Sequence, residues 1–342
     1  MSTPALPPYL VAEFVERLAT GDRIGAMSRT LELLEEGRTR RDVRELIRRA
    51  QLEVGQLWQS NTWTVAQEHV ATGISETVLH AAGAAVLDRH ADRGSVLVVC
   101  ADGEWHVLPA RLLAEDLLDA GFEVTFAGGS VPPEHLVDTV RSLAPDAVAV
   151  SCTLSLHLAG AARTIAAAHA GGRPVLAGGT AFGADERRAR ALGADAWAAD
   201  LDEAAGILAG WAAPDGDRPE PGRAARREHP ESAVLYRSEA RLVDAAYEQL
   251  AARFPDIASY TPWQVARTRE DLRFHLRYLA SAVLLEDDGI YLDMLPWLTD
   301  LLEARGVPGR SVELTVAVLA GLAEDEGLPA TRRLLGRAAE RA

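Results

Sequence analysis

Between Ser95 and Trp211 the sequence alternates short apolar runs with longer segments of helical periodicity, and the alternation repeats about five times. The first run, SVLVVC, is rich in valine, and a polar loop and the segment LPARLLAEDLLDAG follow it. The runs FEVTFAGG, DAVAVSC, RPVLAGG and DAWAAD continue the pattern. This order predicts a doubly wound parallel α/β sheet with helices on both faces. Ligands of such sheets bind beyond the carboxyl ends of the strands.

Helical segments stand on both sides of this region. Residues 8–90 hold four segments with apolar residues at three-to-four spacing, which predicts a four-helix bundle. The fourth segment opens with Thr64 and has Gln67 three residues on, a capping-box pattern. The sequence thus predicts a multidomain α and α/β protein with four parts: a helical cap (1–92), an α/β domain (93–212), a Pro- and Gly-rich linker (213–231) and an all-α domain (232–342).

Composition excludes several classes of function. The net charge of −15 argues against a nucleic-acid backbone as the main partner. Lysine is absent from the sequence, which excludes a Schiff base and a phosphate-loop lysine. The two cysteines, Cys100 and Cys152, lie in predicted strands and exclude a disulfide framework. No apolar run is long enough to cross a bilayer and the start has no signal-peptide pattern, so we expect a cytoplasmic protein without a membrane partner.

The loop after the first predicted strand, ADGEWHVLP, carries the strongest candidate site. A neutral imidazole such as that of His106 is a good ligand for a transition metal. A nearby carboxylate, here Glu104, can accept the other ring N–H and raise the donor strength of the imidazole. The alternative is a surface histidine on a polar loop, and the position at the end of a strand favours a site.

The segment GEWH resembles the E-x-H core of the cobalamin-binding α/β domain. In that family the histidine is the lower axial ligand of cobalt, and the nucleotide base is buried in the sheet domain. The turn SCTL after the third strand and the AGG after the fourth also match the family, whereas Pro109 stands where the family usually has glycine. The resemblance implies that His106 binds cobalt and that cobalamin contacts Asp102, Gly103, Glu104, Trp105, Val107, Ser151, Thr153, Leu154, Gly178 and Gly179.

A second motif lies in the helical cap. Trp58, Glu68 and His69 have W-x9-E-H spacing, which is similar to that of cobalamin-dependent light sensors. In those proteins the tryptophan packs against the adenosyl group, and the acid and imidazole line the same pocket. A core tryptophan beside a glutamate that favours a helix start is the structural alternative.

Two features differ from the light sensors that bind DNA. Those proteins have a histidine directly after the tryptophan, which becomes the upper cobalt ligand after illumination, and this chain has Gln59 there. His69 is the substitute candidate for that ligand. The DNA-binding sensors also carry a helix-turn-helix domain ahead of the cap. Because only a few residues precede the first predicted helix, we expect no direct DNA binding.

The last predicted domain is rich in aromatic residues and arginine between residues 261 and 297, and Thr261-Pro262 predicts a helix start there. The whole arrangement resembles photocobilins, in which a cobalamin module is joined to a globin- or phycobiliprotein-like helical domain that holds biliverdin. With no cysteine in this region, a bilin would bind noncovalently. On chemical grounds we assign it Trp263, Arg273, His275 and Tyr278. A haem on His275 and an ordinary helical domain with an aromatic core are the alternatives.

The resemblance implies a photoreceptor and not an enzyme. Photolysis of adenosylcobalamin, bound between the cap and the α/β domain, would drive a change in homo-oligomeric state that a downstream protein partner could read. The alternative is a corrinoid carrier of a methyl-transfer system, which needs to accommodate only a methyl group on the upper face of the corrin.

Overall fold

The computed structural model describes residues 6–84, 91–213, 216–222 and 228–341. They form two compact units. The first comprises the N-terminal helices and residues 111–122, and the second comprises residues 93–110 and the chain from Glu123 onward. The predicted end of the fourth helix (85–90) and parts of the predicted linker (214–215 and 223–227) lie outside the described residues.

The first unit contains the four predicted helices: α1 (Pro8–Ala19), α2 (Arg23–Glu35), α3 (Arg40–Gln59) and α4 (Val65–Ala84). Their apolar stripes meet in a core that includes the fully buried Ile47 and Val78. The predicted capping box at α4 is confirmed, because the backbone N–H of Thr64 donates to Oε1 of Gln67 at 2.9 Å and the N–H of Gln67 donates to Thr64 Oγ1 at 3.2 Å.

The second unit is built on a five-stranded parallel sheet of order β2-β1-β3-β4-β5. Its strands are β1 (Ser95–Cys100), β2 (Glu123–Gly128), β3 (Ala147–Ser151), β4 (Val175–Gly178) and β5 (Ala196–Ala198). The helices between the strands in the chain are α5 (Val107–Asp119), most of which belongs to the first unit, α6 (Pro133–Leu143), α7 (Leu158–Ala170), α8 (Arg187–Ala191) and α9 (Leu201–Ala212), with 3-10 turns at Ser155–His157 and Thr180–Phe182. The predicted doubly wound parallel sheet is confirmed.

Strand register places the three predicted motifs, GEWH, SCTL and AGG, at the carboxyl edge of the sheet. Cys100 pairs with Ser151, Ser151 with Gly178, and Gly178 with Ala198, so the carboxyl ends of four strands lie in one row. The loops that follow β1, β3 and β4 therefore leave the sheet side by side. This is the edge at which parallel sheets bind ligands.

The rest of the chain is helical. It contains α10 (Pro230–Arg237), α11 (Glu239–Arg253), α12 (Pro262–Leu285), α13 (Gly289–Leu292), α14 (Met294–Glu303), α15 (Arg310–Asp325) and α16 (Pro329–Arg341), with a 3-10 segment at Pro255–Ser259. The predicted start at Thr261 is confirmed by a capping box with Gln264. Two helices predicted as continuous are interrupted, one at Ser238 and one at Asp293. Glu239, just after the first break, accepts a 2.7 Å hydrogen bond from Nε of Arg277.

The C-terminal helices share one apolar core with the sheet. The same buried cluster contains Val99 and Val150 from the strands, Leu279 and Val283 from α12, and Leu319 from α15. α12 also packs against the 3-10 turn Ser155–His157 and against α7. The C-terminal helices are therefore built onto the edge of the sheet at which the three motifs end. Within the described parts of the chain, no helix combines the length and apolar character needed to cross a bilayer.

Candidate functional site

Glu104 organises the loop after β1. Its side chain has no solvent exposure, and its two carboxylate oxygens serve different partners. Oε1 lies 2.6 Å from His106 Nδ1 and accepts from the His106 backbone N–H at 2.9 Å. Oε2 accepts from the backbone N–H groups of Thr153 (2.9 Å) and Leu154 (3.0 Å). One buried carboxylate thus joins the E-x-H loop to the turn after β3.

Glu104 is ionised in this environment. Burial is the largest influence and opposes ionisation, but the hydrogen bond and charge interaction with His106 and the backbone N–H groups outweigh it. Together they lower the pKa of Glu104 to about 2. A carboxylate that is charged at neutral pH fixes the imidazole with its proton on Nδ1, so Nε2 is the ring nitrogen that presents a lone pair. The His106 side chain is 54% exposed, which leaves the ring accessible at the edge of the sheet.

Glycines allow the loop to lie close to its neighbours. Gly103 has a φ of +88°, which favours glycine, and its N–H donates to Ser130 Oγ at 3.0 Å. Gly129, after β2, faces the Glu104 carbonyl oxygen, which a Cβ on Gly129 would approach to 3.2 Å. Gly129 and Ser130 were missed by the sequence reasoning, although their position after the second strand was a signal for this edge.

Asp102 is held by α7. Its backbone N–H donates to Thr164 Oγ1 at 2.9 Å, and its carboxylate accepts from Arg163 Nε at 2.9 Å. A Cβ on Gly160 would overlap the Asp102 carbonyl oxygen, so the first turn of α7 requires glycine there. These α7 residues carried no recognisable motif in the sequence. Trp105, in contrast, is 72% exposed, and Val107 begins α5.

The turn after β3 and the glycines after β4 are also in contact. Gly179 has a φ of +105°, and a Cβ there would overlap the Cys152 carbonyl oxygen. Thr180 Oγ1 donates to the Thr153 carbonyl at 2.7 Å. Ser151 is buried and aligned with Gly178. The structure therefore brings together the three motifs that the sequence placed at the strand ends.

His157 is a further histidine at this edge that the sequence reasoning did not select. A Cβ on Gly103 would lie 3.0 Å from His157 Nδ1, so this ring packs on the E-x-H loop. Burial is the main cause that lowers the pKa of His157 to about 4. The ring is therefore neutral at physiological pH.

The cap residues form a polar cluster on α3 and α4. Glu68 Oε2 lies 2.5 Å from His69 Nδ1, and Glu68 Oε1 lies 3.0 Å from Thr72 Oγ1. Gln51 continues the cluster, since its Nε2 donates to the buried Ser75 Oγ at 2.9 Å. Gln51, Thr72 and Ser75 were not selected from sequence. Thr72 and Ser75 follow Glu68 by four and seven residues, a helical spacing that could have indicated them.

Trp58 lies in the last turn of α3 and is half-buried, with Gln59 beside it, and His69 is 74% exposed. Trp63, also in the junction before α4, is the more deeply buried tryptophan. The motif therefore selects the less buried of these two tryptophans.

The four residues assigned to a bilin do not converge. Trp263 is 70% exposed in the first turn of α12, and His275 lies twelve residues further on, about 18 Å along the helix. His275 is buried and its Nδ1 lies 2.8 Å from the Tyr291 hydroxyl, while Arg273 pairs with Glu239 at 3.0 Å. Tyr278 packs against the core that the helices share with the sheet. Two of the four side chains are thus engaged inside the helical part itself.

The residues after β1 fit a cobalt already held by a corrin ring. Such a group would need one imidazole from the protein. His106 could supply an imidazole at an exposed edge, and its Nδ1 lies beside a buried carboxylate, an arrangement typical of metal-binding histidines.

Two segments of the chain match models of known domains. Residues 94–206 match the model described as B12 binding domain, and residues 10–82 match a second model with the same description. The HTH-type transcriptional repressor CarH of Myxococcus xanthus is 38% identical over 107 residues, which are 30% of this chain and 34% of the repressor. The chain therefore spans about a third of the length of this curated relative.

One solved structure has a similar fold over part of the chain. The monomethylamine corrinoid protein of Methanosarcina barkeri aligns with a TM-score of 0.50 at 16% identity, over 59% of this chain and 97% of that protein. A cobalamin-binding protein from Desulfitobacterium hafniense DCB-2 aligns over 59% of this chain and 98% of its own at 21% identity, with a TM-score of only 0.32. The first similarity shows a helical cap plus a parallel α/β sheet as in corrinoid proteins. The two matches to models of the B12 binding domain support cobalamin as the cofactor.

Proposed function

We propose that this protein is a light sensor that binds adenosylcobalamin, with His106 as the lower axial ligand of cobalt. The observation that carries the proposal is the Glu104–His106 pair, with 2.6 Å between carboxylate and imidazole, at the carboxyl edge of a parallel sheet. This pair lies inside the segment that matches the B12 binding domain.

Glu104 holds His106 in the state that a metal requires. Its negative charge keeps the proton on Nδ1 and raises the electron density at Nε2. The same carboxylate is bonded to the backbone at Thr153 and Leu154 and so stays in place. If the ring turned away, it would lose its 2.6 Å contact with this fixed carboxylate. The loop therefore presents the ligand in a fixed orientation and spends little free energy on ordering it.

The light-sensing part of the proposal rests on the cap. Glu68 and His69 are already paired, and Thr72 and Gln51 continue the polar surface around Glu68. Such groups suit the hydroxyls and ring nitrogens of adenosine, and Trp58 supplies an aromatic surface at the end of α3. When bound, adenosylcobalamin supplies a cobalt–carbon bond that light breaks. Trp58, Glu68 and His69 would then lose their adenosyl contacts, and we propose that the cap and the homo-oligomeric state respond, which a downstream protein partner would read.

The decisive experiment is reconstitution in the dark. The full chain is loaded with adenosylcobalamin, and its absorption spectrum and elution volume are recorded before and after illumination. We expect both to change in the wild type, and His106→Ala to lose the spectrum of imidazole-bound cobalt. A loaded protein whose spectrum and elution volume do not respond to light would contradict light sensing.

A corrinoid carrier is the second candidate, and the fold similarity to the monomethylamine corrinoid protein favours it. A carrier needs to hold only a methyl group on the upper face. Equal affinity for methylcobalamin and adenosylcobalamin, together with no response of the oligomeric state to light, would favour the carrier. We also propose a second, noncovalent tetrapyrrole in the C-terminal helices, biliverdin with haem as the alternative, although the separation of Trp263 from His275 along α12 does not support the four assigned residues as one pocket. A red-region absorption band of protein expressed with cobalamin and biliverdin would test it.

A further inference from the structure

Arg163 of α7 joins the loop that carries His106 to the C-terminal helices. Arg163 Nε donates to Asp102 Oδ2 at 2.9 Å, and its Nη2 lies 2.8 Å from the same oxygen. The same Nη2 donates to the Tyr236 hydroxyl on α10 at 2.7 Å. The guanidinium also lies over the Tyr236 ring, 4.2 Å from its centroid. One side chain therefore contacts both the loop and the C-terminal helices.

The loop end of this connection is rigid. The Asp102 backbone N–H is bonded to Thr164 Oγ1 at 2.9 Å. Gly160 has no Cβ, so α7 lies directly against the Asp102 carbonyl. Asp102 lies two residues before Glu104, which holds His106. A displacement of Asp102 is therefore passed to the imidazole through a short, hydrogen-bonded stretch of backbone.

The helical end is also held. Arg277 of α12 lies 6.0 Å from the centroid of the Tyr236 ring, and its Nε donates to Glu239 Oε2 at 2.7 Å. Glu239 opens α11 directly after the break at Ser238 and also pairs with Arg273 at 3.0 Å. Tyr236 is thus part of a charged cluster that connects α10, α11 and α12.

We infer that Arg163 and Tyr236 are positioning residues of the cobalt-ligating loop, and that the C-terminal helices are coupled to the state of that loop through Asp102, Arg163 and Tyr236. This inference rests on the proposed function, because it concerns the same loop. Coupling of this kind is reciprocal: what binds at the loop stabilises the helical end, and what loosens the helical end weakens binding at the loop.

The first test uses protein without cobalamin. Amide hydrogen exchange of residues 101–107 is compared for the wild type, Arg163→Met and Tyr236→Phe. We expect about tenfold faster exchange in Arg163→Met, which loses charge-assisted hydrogen bonds, and a smaller increase in Tyr236→Phe, which keeps the ring under the guanidinium.

Two matched controls separate positioning from general stability. Asp287→Asn weakens a different link between the helices and the sheet, the 2.9 Å pair with Arg188, and Tyr247→Phe alters another arginine–tyrosine pair, with Arg269. Neither control contacts the loop, so exchange at 101–107 is expected to stay at the wild-type rate. If the two test variants changed the exchange rate of residues 101–107 no more than the two control variants do, the inference would be overturned.

The second test measures the coupling in the other direction. Hydroxocobalamin added to the wild type is expected to slow exchange in residues 230–239, and this protection is expected to be lost in Arg163→Met. If the wild type binds no hydroxocobalamin, the proposed function fails while the loop exchange still decides the positioning role. If it binds hydroxocobalamin without protecting residues 230–239, the coupling alone is refuted.

Discussion

Oε1 of Glu104 lies 2.6 Å from Nδ1 of His106, and the carboxylate that makes this contact is fully buried. Its other oxygen accepts the two backbone N–H groups of the turn after β3. A carboxylate in this position has two roles. It bonds the loop after β1 to the turn after β3, and it sets the tautomer of the histidine.

Glu104→Gln tests both roles. An amide cannot accept four hydrogen bonds, and its NH₂ group faces donors, so the free energy of unfolding is expected to fall by about 3 kcal/mol. Cobalamin affinity is expected to fall about 10- to 100-fold, as for other outer-shell partners of metal ligands. Urea denaturation and spectroscopic titration measure the two effects, with the exposed Glu248→Gln as control. Wild-type behaviour of Glu104→Gln in both measurements would refute the assignment.

The pKa of Glu104 gives a pH dependence with a definite sign. The folded-state pKa of about 2 lies below the ordinary value of 4.5, so its stabilisation is fully present above about pH 4.5 and is lost as the pH falls towards 2. The difference corresponds to about 3 kcal/mol. The stability gap between wild type and Glu104→Gln is therefore expected to narrow as the pH falls below 4.5. A gap that stays constant down to pH 2.5 would be inconsistent with a buried charged carboxylate.

The buried His275 is expected to make the free energy of unfolding depend on pH in a second, higher range. Burial lowers its pKa to about 4 from 6.5, so its contribution to stability is present above pH 6.5 and is lost as the pH falls through 4. The double variant His275→Phe/Tyr291→Phe replaces both hydrogen-bonded partners by apolar rings of similar shape. We expect near-wild-type stability at pH 7.5 and a flatter profile between pH 6.5 and 4, measured by denaturation at each pH. A slope in that range equal to the wild-type slope would exclude His275 as its source.

Trp58→Ala separates the light sensor from the carrier. Loss of an aromatic surface for adenosine is expected to weaken adenosylcobalamin binding about tenfold and to leave methylcobalamin nearly unchanged. Trp263→Ala, which removes an exposed tryptophan from α12, is the matched control. Equal loss for both cobalamins in Trp58→Ala would argue for a structural role of this residue.

Gly179→Ala tests the close packing of the loop after β4 against the turn after β3. A φ of +105° and the nearby Cys152 carbonyl both oppose a Cβ, so a loss of about 2 to 4 kcal/mol in the free energy of unfolding is expected. Gly206→Ala, in α9 with open space around the added methyl, is expected to be neutral or stabilising by about 0.5 to 1 kcal/mol. Thermal unfolding of both variants checks the contrast, and equal melting temperatures would show that the loop at Gly179 can adjust.

The sequence by itself determined the strands of the sheet, the four helices of the cap and the position of the motifs, but not the helix breaks at Ser238 and Asp293. Valine-rich runs separated by amphipathic segments can bury their apolar side chains only as a covered parallel sheet, so the ends of β1, β3 and β4 had to share one edge. The capping boxes at Thr64 and Thr261 were also local, because a cap depends on residues three positions apart. For the same reason Glu104 and His106 could be paired from sequence, since they are two residues apart.

Tertiary structure alone decided which distant groups complete the site. The partners of Glu104 at Thr153 and Leu154 are about fifty residues away, and Arg163 reaches Tyr236 across 73 residues. Nothing in local periodicity specifies such pairs, because they depend on how helices of unrelated sequence pack on the sheet. The same packing buried His275 against Tyr291 and left Trp263 exposed, a difference in burial that composition along α12 did not indicate.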